Sequence, residues 1–288
     1  MINVLKDSGF RTGWHVIPVF RIKLHLKDEE LLKEVQAFFV SPQGIGVGKI
    51  SRGKDYCEYM ITSLRDIVKV IIPHFDNYPL ITQKASDYLL FKRIIDLMKL
   101  KEHLTSEGLK NIVLLKSSLN LGLSDQLKAA FSNLPIFPRP LVENQVVPHP
   151  EWLSGFASGD GSFYVNTSKS QARRLGVSVW LTFQLTQHTR DKELMEHIKA
   201  FLGSGEYYSV KDVKLGHFRV NNFSDIIEKI IPFFNIHKIR GVKSKDFQDW
   251  CLVSEIIKNK GHLNQEGLDQ IINLKSNMNT GRFTSVSK

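Results

Sequence analysis

The sequence predicts an α+β protein of two pseudo-symmetric lobes, and three observations lead there. The chain repeats itself, each copy opens with strand-like alternation and continues with helical spacing, and a proline-rich stretch lies between the copies. Phe20 to Phe39, FRIKLHLKDEELLKEVQAFF, returns 163 residues later as Phe183 to Leu202, FQLTQHTRDKELMEHIKAFL, so that His25, Asp28, Leu31 and Phe38 meet His188, Asp191, Leu194 and Phe201. Farther on the offset is 159: Asp66 to Phe75, DIVKVIIPHF, meets Asp225 to Phe234, DIIEKIIPFF, while Lys84 meets Lys243 and Asp87 meets Asp246. Lys101 to Gly122, KEHLTSEGLKNIVLLKSSLNLG, then matches Lys260 to Gly281, KGHLNQEGLDQIINLKSNMNTG. Identities spread so widely mark a duplicated domain.

Taking the elements in order, Val19, Arg21, Lys23 and His25 fall on one face of a strand and Phe20, Ile22, Leu24 and Leu26 on the other. The second copy repeats the design with Thr182, Gln184, Thr186 and His188 opposite Leu181, Phe183 and Leu185. A helix is expected from near Asp28 and again from near Asp191, because LLKEVQAFF and LMEHIKAFL place apolar residues at helical spacing. Gly44 to Gly48 leading to Arg52-Gly53-Lys54, and Gly203 to Gly205 leading to Lys211 and Lys214, read as hairpins. Helices close each copy, one of them after Thr105 and its match after Asn264, where a polar cap precedes Glu by two residues. Ser132 to Pro150, SNLPIFPRPLVENQVVPHP, holds five prolines, which disfavour a helix and suit an extended connector. The expected division is a lobe at 1–131, a linker at 132–150 and a lobe at 151–288.

Among 288 residues, a 42% hydrophobic share supports a buried core. Lys and Arg number 39 against 29 Asp and Glu, giving a formal charge of +10 and a pI near 9.5. That balance favours a polyanionic partner, either nucleic acid or an anionic membrane surface. No apolar run is long enough to span a bilayer, the amino terminus lacks the pattern of a secretory signal, and no amphipathic anchor is visible, so no membrane is expected. Cys57 and Cys251 are the only cysteines, too few for a disulfide scaffold or a cysteine-based zinc site, and they suit a reducing compartment.

Carried backwards without a gap, the 163-residue offset sets Met1 opposite Tyr164, Ile2 opposite Val165 and Asn3 opposite Asn166. Trp152 to Phe163, WLSGFASGDGSF, is therefore expected to have no counterpart in the first copy. Within it, Gly155, Ala157, Ser158 and Gly159 are small residues that let a helix approach another backbone closely. Asp160 falls at the carboxyl end of that helix, where the macrodipole disfavours a carboxylate unless a cation compensates. An Asp between two glycines is also an ordinary turn residue. Its place at the head of a repeat favours the functional reading.

Leu153 to Gly161, LSGFASGDG, followed by Ser-Phe, resembles the LAGLIDADG motif. With the duplicated body, the Lys84 and Lys243 segments and the paired HLTSEGL and HLNQEGL helices, nearly the whole chain is similar to single-chain mitochondrial LAGLIDADG homing endonucleases. The resemblance implies that each lobe carries an antiparallel, saddle-shaped DNA-binding sheet backed by helices. It implies two motif helices side by side, each delivering one acid to a site where divalent metal and a scissile phosphate meet. Asp160 would be the catalytic acid and, with Gly159, the ligand of Mg²⁺ or another divalent cation, a hard ion that helps form hydroxide and stabilises charge on phosphate. Lys243 and Lys84 would be active-site lysines that polarise the phosphate or a water, although a single surface lysine is usually only solvated. Gln184 would position a water or phosphate; its match is Arg21, which cannot accept from water or ligate a metal as an amide oxygen can.

His25 and His188 could serve acid–base chemistry, but neither has an acidic partner in the sequence, and hydrogen bonding to local backbone ahead of the helix is the expected role. Arg11, Arg21, Lys23, Lys49, Arg52 and Lys54, with Lys169, Arg173, Arg174, Lys211, Lys214 and Arg219, fall in the strands and hairpins. Two-stranded ribbons fit the major groove, where Arg and Lys reach guanine edges or neutralise phosphates, so these are the expected DNA contacts rather than an ordinary solvated face.

The expected activity is metal-dependent, site-specific hydrolysis of double-stranded DNA by a monomer acting on a long, nearly asymmetric target. By resemblance the protein is intron-encoded and mitochondrial, and leaves short 3′ overhangs. The absent first motif supports an alternative of another class, a DNA binder without cleavage or a maturase that helps a group I intron RNA to fold, because an incomplete metal site loses transition-state stabilisation.

Overall fold

The computed structural model describes residues 1–210 and 212–284. The chain divides into two compact units, Met1–Asn144 and Gln145–Lys288. Each is a mixed α+β body of antiparallel strands backed by helices, in agreement with the expected fold class.

In the first unit, strands β1 (Ile2–Lys6) and β2 (Trp14–Pro18) form a hairpin. Strands β3 (Phe20–His25), β4 (Lys49–Arg52) and β5 (Tyr56–Ile61) form a second sheet in the order β3-β5-β4. In the second unit one sheet takes all four strands, β6 (Gly161–Lys169), β7 (Val177–His188), β8 (Glu206–Ser209) and β9 (Leu215–Val220), in the order β6-β7-β9-β8. The difference has a local cause. Pro18 closes β2 and has no N–H to carry a ladder onward, whereas its match by the 163-residue offset is Leu181, inside the uninterrupted β7.

The registers repeat with the sequence. Ile2 sits opposite Pro18 as Val165 sits opposite Leu181, and Phe20 sits opposite Ile61 as Phe183 sits opposite Val220. The four-residue change of offset is the net of two events in the hairpin region. The loop from Phe39 to β4 is six residues longer than that from Leu202 to β8, and the turn between β4 and β5 is two residues shorter than that between β8 and β9. A change that reads as one deletion in sequence is thus a trimmed loop plus a lengthened hairpin.

Helix α1 (Glu29–Phe38) backs the first sheet and α7 (Lys192–Leu202) the second, each following a 3₁₀ turn. Next comes a helix in each unit, α2 (64–77) and α8 (223–236), whose middle turn is π-helical at Ile67–Ile71 and Ile226–Ile230. Pro73 and Pro232 follow after one residue. Neither can donate to the carbonyl four residues back, and widening the turn accommodates the ring without breaking the helix. Helices α3 (Lys84–Lys99) and α4 (Ser106–Lys116) close the first unit's body, and α9 (Lys243–Lys258) and α10 (Gln265–Ser276) the second's. The expected caps form: Thr105 and Asn264 side chains accept from the N–H of Gly108 and Gly267. A Cβ at either glycine would lie within 2.3 Å of the backbone carbonyl of Glu102 or Gly261, so the tight entry needs glycine there.

Between α5 (Asp125–Ala130) and α6 (Pro150–Asp160) the backbone has no regular element, yet it is stitched down along its length. Ser86 Oγ donates to Pro140 O at 2.5 Å, Ser118 Oγ donates to Phe137 O, and Arg139 Nη1 reaches Ser118 O at 2.7 Å, all within the first unit. Beyond Asn144, Gln145 Nε2 donates to Asp191 Oδ1 at 3.0 Å within the second. No helix among the described residues is long and apolar enough to cross a membrane.

Candidate active site and nucleic-acid face

Helix α6 is the segment that the first copy does not match. Pro150 stands in its first turn, His149 accepts from Glu151 N–H, and Leu153, Ser154 and Ala157 are buried. Its small residues make a close approach to their own unit: Ser154 Oγ donates to Lys238 O at 2.6 Å, and Arg240 N–H donates to Ser158 Oγ at 2.9 Å. Gly155 and Gly159 take no part in that approach, with nothing within 4 Å of an added Cβ among the described residues. Gly161 is different. A Cβ there would stand 2.5 Å from Ala157 O, so glycine lets the chain pass straight from helix into β6 and fixes Asp160 at the junction.

Three groups converge on that junction. Lys243, first residue of α9, donates from Nζ to Gly159 O at 2.8 Å, and Gln187 Nε2 donates to Asp160 Oδ2 at 2.5 Å. Burial pushes the Asp160 carboxyl above its ordinary range, while the Lys243 charge and the Gln187 hydrogen bond pull it back down. Gln184, the amide expected to position a water or phosphate, is not the one that binds the acid. Three residues apart on one strand, Gln184 and Gln187 leave on opposite faces, and Gln184 instead accepts from Arg219 Nε at 2.5 Å. The register would have identified Gln187: Gly161, next to Asp160, pairs with Leu185, and Gln187 is the next residue on that face.

Around the matched lysines, an unexpected element recurs. Asp87 and Asp246, in the first turns of α3 and α9, are each 7% exposed. Each carboxylate accepts from a backbone N–H, of Asn120 at 2.8 Å and of Asn279 at 3.0 Å, where both asparagines hold φ of 53°. Each also binds an arginine, but from unmatched segments: Arg139 in the connector and Arg282 near the end of the described chain. Lys84 Nζ lies 3.2 Å from Asn120 Oδ1 and 3.6 Å from Asp87 Oδ2.

The basic residues spread over the sheets and hairpins. Arg11 is exposed in the β1–β2 loop and Lys54 in the β4–β5 turn. Arg21, Lys23 and Lys49 share the open face of the first sheet, where Lys23 Nζ sits 3.5 Å over the Tyr56 ring and Arg21 Nη1 lies 3.6 Å from Glu58. Arg52 departs from the expectation: it pairs opposite buried Cys57 on the helix-backed side and binds Glu29 at 2.8 Å. Lys169 ends β6 on the helix-backed side of its own sheet by the same alternation, though exposed. Arg173, Arg174 and Lys214 are exposed in loops, Arg219 is half-buried on the open face, and Lys211 lies outside the described residues. His25 and His188 accept the N–H of Lys27 and Arg190 through Nδ1, the local role expected of them.

The two open faces differ in chemistry. The first is charged, whereas the second carries amides and hydroxyls that are largely buried, Thr182 at 6% and Gln184 at 8% exposed. Burying such groups is tolerable because they satisfy one another: Asn166 Nδ2 donates to Thr182 Oγ1 at 2.9 Å, Thr182 Oγ1 donates to Asn221 Oδ1 at 2.7 Å, and Gln184 Nε2 donates to Thr186 Oγ1 at 3.0 Å.

With this arrangement in view, similarity to known proteins is informative. The sequence profile of a family described as LAGLIDADG endonuclease matches residues 1–95 and 153–254. Two Neurospora crassa proteins, probable intron-encoded endonucleases 3 and 2, are 38% and 35% identical over 94% and 96% of this chain. Those matches take in 50% and 62% of the relatives, so the chain spans about half their length or somewhat more. The crystal structure of the I-SmaMI LAGLIDADG homing endonuclease bound to cleaved DNA superposes with a TM-score of 0.94 at 45% identity, covering 98% of this chain and 93% of that one. I-SmaMI is also known bound to an uncleaved DNA target in the presence of calcium ions. A profile match over most of the residues, joined to a shared fold at this identity, places the chain in the LAGLIDADG endonuclease family.

Proposed function

We propose that the protein is a site-specific endonuclease that hydrolyses both strands of a DNA target with a divalent cation. The observation that carries this reading is the meeting of Asp160, Lys243 and Gln187 where α6 enters β6. One carboxylate beside a backbone carbonyl suits a Mg²⁺ ion, which fills the rest of its shell with water and substrate phosphate. Asp160 and the Gly159 carbonyl would hold the ion, which when bound supplies Lewis acidity toward phosphate and acidifies water. Gln187 fixes one carboxylate oxygen, Oδ2. The Lys243 ammonium offsets phosphate charge, and Lys84 takes that role in the first unit. Arg11, Arg21, Lys23, Lys49, Lys54, Arg173, Arg174, Lys214 and Arg219 contact the duplex; Arg52 and Lys169, on the other side, contribute through phosphates alone.

The unlike open faces support a monomer on a nearly asymmetric target, and the intron-encoded relatives support an intron-encoded origin, which the family resemblance puts in the mitochondrion. The test is to select a bound duplex from a random pool with the full chain and add Mg²⁺. Cleavage of both strands at one site is expected; binding without cleavage would reject the nuclease in favour of a binding protein, and tighter binding to structured intron RNA would favour a maturase. Affinity should fall on the order of 10³-fold between 50 and 200 mM salt, as for several phosphate contacts. A flat salt response would sink the phosphate-contact argument.

A further inference from the structure

On the open face of the second unit's sheet, Arg219 of β9 lies directly opposite Gln184 of β7. Its Nε donates to Gln184 Oε1 at 2.5 Å, Gln184 Nε2 donates to Thr186 Oγ1 at 3.0 Å, and Thr186 Oγ1 lies 2.9 Å from His217 Nδ1. An arginine on an open surface normally samples many rotamers, at a large entropic cost to any one pose. Here the guanidinium is moored to an amide that is itself 8% exposed and tied to its neighbours.

The mooring selects which edge of the guanidinium is offered. With Nε committed, the terminal Nη1 and Nη2 pair is the edge that remains; the carboxylate opposite it on β8, Glu206, is engaged by Lys199 Nζ at 2.8 Å. Two parallel N–H groups in a plane match the O6 and N7 acceptors of guanine in the major groove. The anchor is also neutral, so the full positive charge faces outward. Burial and the Arg219 charge hold the His217 imidazole below its ordinary pKa, which leaves Arg219 as the cation of the network near neutral pH.

The first unit gives the contrast. Gln184 matches Arg21 and Arg219 matches Met60, so the arginine there stands on the other strand of the pair. Its Nη1 faces the Glu58 carboxylate at 3.6 Å, and Glu58 also receives Ser51 Oγ at 3.5 Å. A carboxylate at the guanidinium end competes for the same N–H groups that a guanine would use.

We propose that Arg219 reads one guanine in the target, through its Nη edge, and that Gln184 is the positioning residue that aims it. The proposal rests on the DNA-binding reading above and goes beyond it by naming a base and a residue. Arg219 discriminates among sequences, whereas Lys54 and Arg173, on exposed turns, strengthen binding to all of them.

The experiment is selection from a random duplex pool with the full chain in EDTA, comparing wild type with Arg219→Ala, Arg219→Lys, Gln184→Ala and Lys54→Ala, each checked for native circular dichroism. Wild type should show a guanine preference of about 5- to 150-fold at one base pair that Arg219→Ala reduces to near 1. Arg219→Lys keeps the charge and loses the planar fork, so it should retain overall affinity better than Arg219→Ala while losing the same preference. Gln184→Ala should relax that base pair and no other. Lys54→Ala should weaken every sequence alike. If Arg219→Ala and Arg219→Lys keep the wild-type preferences and only weaken binding uniformly, Arg219 is a phosphate contact and the proposal fails. Relaxation at a different base pair in Gln184→Ala would remove Gln184 from the role. A wild-type chain that enriches no sequence overturns site-specific binding itself, and this inference with it.

Discussion

Replacing Asp160 by Asn should reduce cleavage of the selected duplex by at least about 100-fold, the usual scale for losing one preorganised charge-stabilising group, with DNA affinity largely unchanged. Asn keeps the shape and one oxygen at the α6–β6 junction but lacks the charge a hard cation requires. The stability outcome runs the other way. The Asp160 carboxyl sits above its ordinary pKa because burial opposes its ionisation, so the folded state holds its proton more tightly than the unfolded chain does. Stability therefore declines as pH rises from the ordinary carboxylate range through the folded value and is level above it. Asp160→Asn lacks this decline and, in EDTA at pH 7, should melt no lower than wild type. Full cleavage by Asp160→Asn would remove Asp160 from the chemistry, and a lower melting temperature would show that the carboxylate holds the junction together.

The duplication made much of this legible. The strand at Phe20 and its match at Phe183, the helix after each, and the matched caps at Thr105 and Asn264 all follow from patterns that two copies state independently. Alternation assigned β3 correctly, residue by residue. It did not single out Gln187, because identity and spacing do not reveal register; only the pairing of Gly161 with Leu185 brings that amide to the acid. The side of the sheet on which Arg52 lies was hidden for a related reason: a basic residue at a strand end satisfies a composition argument whichever way it points, and Arg52 points toward Glu29. The arginines on Asp87 and Asp246 were invisible because Arg139 and Arg282 occupy positions that the repeat does not match.

Those arginines lead to the second large expected effect. Asp246→Ala should cost about 3–5 kcal/mol, the range for removing one partner of a buried ion pair, because it strands the Arg282 guanidinium and the Asn279 N–H. Arg282 would keep one acid, Asp249 at 2.6 Å, which favours the lower half of that range. Asp87→Ala should cost a similar amount through Arg139 and Asn120. The two sites reach one arrangement by different routes: the aspartate and the left-handed asparagine are inherited by both copies, and the cation is recruited from whatever segment follows. What the copies share is thus a buried carboxylate three residues after the lysine, neutralised by an arginine from outside the repeat. Urea unfolding of Asp246→Ala, and of Asp246→Ala with Arg282→Met, measures this. The double variant should recover part of the loss, since the unpaired charge goes with the arginine. A single-variant cost below about 1 kcal/mol, the scale of an exposed pair, would mean that the cluster is solvated rather than structural.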